Sequence, residues 1–547
     1  MSGRKRSAKS SNRGRRPKSP RSDTKPPTVY PTFIFVNANV LTMDPAKPTA
    51  EAVAVNGDRI VAVGKNREIR ALAGPTTKVS DVKGATILPG FVDCHIHLID
   101  YGLSLKGVGL RGIQSIDEMK RRVADRARGS GEWILGGGWD QDRFSEKRYP
   151  NRKDLDEVSP DKPVLLWRVC LHICVVNSAA LKRAGIDAKT PDPPGGIIDR
   201  DATGEPTGII RETAVELVTK AIPPLTMDDY EEATVAASQR ALEAGLTTVH
   251  CIAGSEKELR AILKLRASGR LALRFYVFIP ADLLKAAVAI GLRSGFGDDW
   301  VKIGGVKIFT DGSLGARTAA LEEPYADDLH NRGVTIYNQH QLNELIAEAH
   351  RHDLQVAAHA IGDRAIVMAL HAFSKTGKLM PKEHRHIIEH ASVVDQHLIQ
   401  RMSELGLIAS VQPHFTVSDF WLEQRLGKER AALTYAFASL LRAGIKIVGG
   451  SDCPVEPLNP LLSIEAAVNR TGPEALTVED ALAMYTRSAA YASFEENRKG
   501  TITPSKLADL VILEKDPHHV PSSSISNIRV LKTMVGGKIV HPRSPKA

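Results

Sequence analysis

Pro89-Gly90-Phe91-Val92-Asp93-Cys94-His95-Ile96-His97, residues 89–97, reads as a short apolar strand that ends on two histidines. Successive strand residues point to opposite faces, so positions two apart share a face. His95 and His97 therefore present two imidazoles together at the strand's end. Imidazole suits zinc and similar divalent ions. A His-x-His pair alone is better explained by two packed or solvated histidines. Its meaning depends on what the rest of the chain places beside it.

Seven further short apolar runs follow, at 245–251, 272–279, 301–309, 354–359, 386–390, 406–411 and 446–450. Helix-like stretches separate them, such as 229–244, 341–352 and 431–443. Eight strands alternating with helices predict an α/β fold, a (β/α)8 TIM barrel. In such a barrel the reactive groups come from the C-terminal ends of several strands. Metal-ligand types recur at those places here: Lys307 in VKIFTDGS, His359 in QVAAHAIGD, His390 in IIEHAS and Asp452 in VGGSD. Packing does not readily explain four independent strand ends that all offer such groups, so the set points to metal-assisted chemistry.

Outside the barrel, 33–41 reads as a strand, 51–64 as a hairpin turning at Asn56-Gly57, and 78–88 as a strand pair. Near the other end, 508–514 and 527–541 read as strands, the latter turning at Gly536-Gly537. These segments predict a composite β-sandwich built from both chain ends. Roughly 150 residues separate the first barrel strand from the second, too many for a structureless loop. An α+β subdomain at 105–235, inserted after barrel strand 1, is expected over the catalytic face. The division expected is a disordered basic tail at 1–28, the N-terminal portion of the β-sandwich at 29–88, the barrel at 89–495 and the C-terminal portion of the β-sandwich at 496–547.

The net charge of +10 in 547 residues suggests nucleic acid, but it is local. Residues 1–27 hold ten Lys or Arg against one acid, Asp23, and so account for nine of those charges. The remainder is close to neutral, so no specific nucleic-acid partner is expected. Such a tail is too polar to fold by itself. It contains no apolar leader segment, and no run of the chain is long and apolar enough to span a membrane. Five scattered cysteines, an odd number, fit reduced thiols in a cytoplasmic protein.

The ordered set His95, His97, Lys307, His359, His390 and Asp452 resembles the amidohydrolase superfamily. The segments PGFVDCHIH, GGGWDQDRF, NSAAL, KIFTDGSLGARTA, AAHAIGDRA, IEHAS, GSDCPVEPLNP and GTITPSKLADLVIL resemble its family 3 branch, which includes N-substituted formamide deformylases. The likeness runs from about residue 33 to 541. It implies a hydrolase of non-peptide carbon–nitrogen bonds, such as an amide or an N-acyl or N-formyl amine of a small molecule, acting through a metal-bound hydroxide. It further implies one or two divalent ions, zinc by preference, and N6-carboxylation of Lys307. His95 and His97 would hold one ion and His359 and His390 the other, with Lys307 between them and Asp452 moving the proton. A single-ion site would support the same hydrolysis. A homodimer is a family-level expectation. The alternatives are a superfamily deaminase acting on an amine-bearing ring, and a catalytically silent scaffold of the same fold.

On the substrate side, Asp311 follows Lys307 on a glycine-containing turn, and His414 follows the seventh strand. Trp139, Asp140 and His172 lie in the insertion, where they would form a lid, although Trp139 equally suits a core. His250 ends the second strand and is open to either reading. His350, His352, His371, His384, His518 and His519 read as solvated.

Overall fold

The computed structural model describes Gly3 and residues 30–129, 131–169, 173–193, 196–376 and 383–542. The basic tail beyond Gly3, Cys170 and His172 lie outside the described residues.

Eight parallel strands form one sheet in chain order: β1 (Phe91–Ile96), β2 (Leu246–Ile252), β3 (Arg274–Pro280), β4 (Val301–Phe309), β5 (Gln355–Ala360), β6 (Ile387–His390), β7 (Ile408–Val411) and β8 (Lys446–Gly449). All eight expected runs are strands, with ends shifted by a few residues. Near-continuous burial along them is what a parallel sheet covered by helices requires. The sheet curls into a nearly closed barrel. β8 returns to β1, where the Asp452 N–H donates to the His95 carbonyl at 2.7 Å and the Ser451 N–H to the Asp93 carboxylate at 3.0 Å. Gly450 permits this approach, since a Cβ there would sit 2.7 Å from the His95 backbone nitrogen and Cβ.

Val92, Cys94, Ile252, Phe278, Ile408 and Val448 pack together in one cluster, and Ala489 and Ala492 of the helix Arg487–Ala492 join it. Along β4–β6 the register pairs Phe309 with His359 and His359 with Glu389. That register brings the candidate groups to one end of the barrel.

Two further sheets use both chain ends. One holds Phe33–Val36, Ala52–Asn56, Arg59–Gly64 and Lys78–Asp81. The other joins Asn39–Leu41, Thr49–Ala50 and Thr86–Pro89 to Leu510–Leu513, Val530–Val535 and Lys538–His541. They share an apolar cluster that includes Phe35, Val40, Val53, Ile87, Leu510 and Ile512. Thr86–Pro89 pairs antiparallel with Leu510–Leu513 immediately before β1 begins. A third sheet of six strands, from Val108–Gly109 to Pro206–Glu212, lies between β1 and β2 in sequence. The helix Met227–Glu243 that follows it spans the expected boundary at 235.

Two expected elements are divided. Residues 33–41 are not one strand: the chain breaks at Asn37, whose φ of 53° is left-handed, and each half enters a different sheet. Residues 431–443 are not one helix. Leu422–Ala432 ends first, Tyr435 takes a φ of 53°, and a new helix runs over Phe437–Arg442. Thr434 bridges to Val393 instead, a tertiary pairing that local periodicity does not encode.

Candidate metal centre

His95 stands on β1, His390 ends β6, and Asp452 lies three residues beyond β8. All three are buried, and one donor atom from each falls within 4.8 Å of the others. Asp452 Oδ1 is 3.3 Å from His95 Nε2 and 3.4 Å from His97 Nε2. Asp452 and His390 both adopt positive φ, 55° and 72°. Non-glycine residues pay about 1–3 kcal/mol for such a conformation, which persists mainly at functional sites.

The outer nitrogens of the two buried histidines each face a side-chain oxygen. His390 Nδ1 lies 2.7 Å from Gln412 Oε1, so it donates there and leaves Nε2 as a lone-pair donor. Glu389 Oε2 lies 2.7 Å from His95 Nδ1, within ion-pair reach. Both Glu389 oxygens and His95 Nδ1 lack an aligned hydrogen bond among the described residues. A buried carboxylate left in that state is expensive unless positive charge stands nearby.

Lys307, on β4, places Nζ 3.3 Å from His95 Nε2 and over the Phe309 ring at 4.8 Å. His359 ends β5. Its ring centroid is 4.5 Å from that of His390, and its Nε2 is 3.0 Å from the Gly312 carbonyl, which it can donate to. The structure thus brings all six expected ligand candidates to one end of the barrel. His95, His390 and Asp452 form the tight group, with His97, Lys307 and His359 around it.

Electrostatics keep His359, His390 and Asp452 available as donors, whereas burial opposes charge on His95 but Glu389 overcomes it and raises its pKa. Burial holds His390 well below the ordinary histidine range, with the charges on His359 and His95 acting in the same direction. Burial and Lys307 depress His359 to about 3. Burial lowers Lys307, with Glu389 and Asp452 opposing it. Burial opposes charge on Asp452, but His95 and His97 overcome it and hold its carboxyl well below the usual range. Lone-pair imidazoles and an ionised carboxylate in a buried cluster are the donor set a divalent cation takes. The residues present therefore fit a metal.

Several expectations are corrected. Asp311 is committed to the backbone: its buried carboxylate accepts from the N–H groups of Ala320, Ile361 and Gly362 at 2.9, 3.1 and 2.9 Å, with Oδ1 3.5 Å from His359 Nε2. It ties down the loops around His359. Trp139 is fully buried in the apolar cluster of the third sheet and donates its indole N–H to the Leu166 carbonyl at 2.8 Å. Its core role wins over the lid role. Asp140 pairs with Arg168 at 2.9 Å. His350 is buried rather than solvated, with Nδ1 3.0 Å from His386 Nε2. His250 is buried in the barrel, neither ring nitrogen has a partner among the described residues, and burial lowers it to about 3.

His414 lies on the loop after β7, its Nδ1 in direct contact with the buried Glu456 carboxylate. Sequence reading offered Glu389 only as an ion-pair partner for Lys307, and missed Gln412 and Glu456. Glu389 directly precedes His390 on its strand, and Glu456 follows Asp452 within GSDCPVEP, so proximity to a ligand was the available signal.

The amidohydrolase family model matches residues 78–541. The chain is 36% identical to "Putative amidohydrolase YtcJ" of Bacillus subtilis (strain 168), covering 90% of this chain and 96% of that protein. It is 29% identical to the N-substituted formamide deformylase of Arthrobacter pascens, covering 94% and 98%. An uncharacterized metal-dependent hydrolase from Pyrococcus furiosus, solved by crystallography, is 35% identical with a TM-score of 0.76, covering 89% of this chain and 99% of that one.

Proposed function

The chain belongs to the amidohydrolase family, and from that premise we propose that it hydrolyses a non-peptide carbon–nitrogen bond, an amide or an N-acyl or N-formyl amine, of a small molecule. The observation that carries this reading is the buried group of His95, His390 and Asp452, with Gln412 and Glu389 facing the outer nitrogens of its two histidines. The similarity to an N-substituted formamide deformylase favours the bond class.

His95, His97 and Asp452 would hold one divalent cation, zinc by preference, and His390 with His359 would complete the donor set. When bound, such a cation lowers the pKa of a water and polarises a carbonyl. Asp452 Oδ1, facing two imidazoles, is placed to take a proton and pass it to the leaving nitrogen. The buried Lys307 amine is biased toward its neutral, nucleophilic form. Addition of its Nζ to carbon dioxide, with loss of a proton, would give a carbamate whose two oxygens could take a second cation. His414 and Asp140 are the remaining substrate-side candidates. The sheets from the chain ends would act as one composite β-sandwich and the third sheet as an inserted α+β subdomain. No described helix is long and apolar enough to cross a membrane, and we place the protein in the cytoplasm, as a homodimer.

The test is hydrolysis of N-formyl and N-acetyl arylamines by protein loaded with zinc in bicarbonate, read as released amine. Turnover that chelation abolishes, and that Asp452→Asn lowers by about a thousandfold or more, is expected. Turnover indifferent to chelation, or none by the metal-loaded protein, would contradict the reading.

A further inference from the structure

His414 and Glu456 come from different loops, after β7 and after β8, yet their side chains meet. Both loops carry residues of the metal centre's surroundings. Gln412, two residues before His414, contacts His390 at 2.7 Å, and the Phe415 ring centroid lies 6.4 Å from that of His390. Glu456 lies four residues after Asp452, and the Val455 N–H donates back to the Asp452 carbonyl at 2.8 Å. The Glu456 side chain is 5% exposed and the His414 side chain 18%. The His414 carbonyl accepts from the Val417 and Ser418 N–H groups at 2.9 and 3.2 Å, while the ring makes no hydrogen bond besides that to Glu456 among the described residues.

An ionised carboxylate can only accept, so the nitrogen touching it is the donor. A neutral imidazole carries one donor and one acceptor, and which is which follows from the partner the ring already has. With Nδ1 committed to Glu456, Nε2 becomes a lone-pair acceptor on the loop whose Gln412 and Phe415 approach His390. An acceptor there selects a donor on the bound molecule, and the scissile bond of a secondary amide supplies one.

We propose that Glu456 is a positioning residue: it keeps the proton on His414 Nδ1 and thereby presents Nε2 to accept the N–H of the scissile amide, so that this chain prefers secondary amides and monosubstituted formamides to N,N-disubstituted ones. This rests on the hydrolytic reading above and adds to it a class of substrate.

The test uses the full-length metal-loaded protein. Histidine-selective 13C and 15N labelling, with His414→Asn to assign the signal, reads the tautomer directly. The expected parent spectrum has Nδ1 protonated and Nε2 not. Glu456→Met, which removes the acceptor, is expected to move the proton to Nε2, while Glu456→Gln keeps an acceptor and retains the parent tautomer. In parallel, formanilide and N-methylformanilide are compared as substrates. One lost hydrogen bond corresponds to about a tenfold change. The preference for formanilide should fall by about that factor in Glu456→Met and be restored in Glu456→Gln, with metal content unchanged. A parent spectrum with Nε2 protonated, or a preference identical in Glu456→Met, would overturn the proposal. If the metal-loaded parent hydrolyses neither compound, the hydrolytic reading fails, and the spectrum alone decides the assignment of Glu456.

Discussion

Glu389 faces His95 Nδ1 across 2.7 Å and is itself fully buried, so its charge has little to act on except that ring and Lys307. Replacing it with glutamine keeps the shape and removes the charge. Residues that orient a metal-bound histidine typically contribute about 10–100-fold to metal affinity. Zinc competition on Glu389→Gln should show a loss of that size, and unchanged affinity would assign Glu389 to packing. At this scale the ligand candidates were legible in sequence because each sits at the end of an apolar run, where strand geometry fixes its position. Their supports were not. Gln412 meets His390 only through the pairing of neighbouring strands, and Glu456 meets His414 across two loops. The burial of Trp139, and the use of Asp311 on three backbone N–H groups, likewise depend on contacts distant in sequence.

Glu495, just beyond the helix Arg487–Ala492, contacts Lys499 and Lys302 of β4. Lys499 in turn reaches Thr248 of β2 at 3.4 Å. Burial opposes the Glu495 charge, but Lys499 and Lys302 overcome it and depress its pKa from 4.5 to about 2. A depressed carboxylate stabilises the fold above its unfolded pKa and loses that contribution as pH falls through the folded value. Urea unfolding should therefore find Glu495→Gln less stable than the parent at pH 7. The gap should narrow as pH falls from about 4.5 toward 2; a gap independent of pH would contradict the assignment. Element by element, the barrel strands were readable because a buried parallel strand is a compact apolar run with few alternatives. The break at Asn37 was not, since the flanking residues read as one strand and only the two-sheet arrangement divides them. The expected helix over 431–443 failed for a similar reason: Thr434 is held by Val393 from another region of the chain.

Across the whole molecule, Arg274 at the start of β3 pairs with Asp509, beside the C-terminal strand Leu510–Leu513, at 2.7 and 3.0 Å with both groups 3% exposed. It is one covered ion pair between the barrel and the sheet the chain ends share. Removing one partner of a buried pair costs about 3–5 kcal/mol, whereas apolar replacement of both is often near neutral. Thermal unfolding should show Asp509→Ala strongly destabilised and Arg274→Met with Asp509→Leu substantially recovered; equal losses would mean that the pair is incidental. That the two chain ends form strands was visible in their alternation, but which strands join which sheet depends on pairings some 400 residues apart, such as Leu88 with Val511. At the centre of the barrel's proposed chemistry stands a metal held between His95, His390 and Asp452. Metal content per chain after exhaustive dialysis, for the parent and for His390→Ala with Asp452→Ala, tests it most directly. At least one tightly held divalent ion is expected in the parent, and its loss in the double variant. No ion in the parent, or the same content in both proteins, would contradict it.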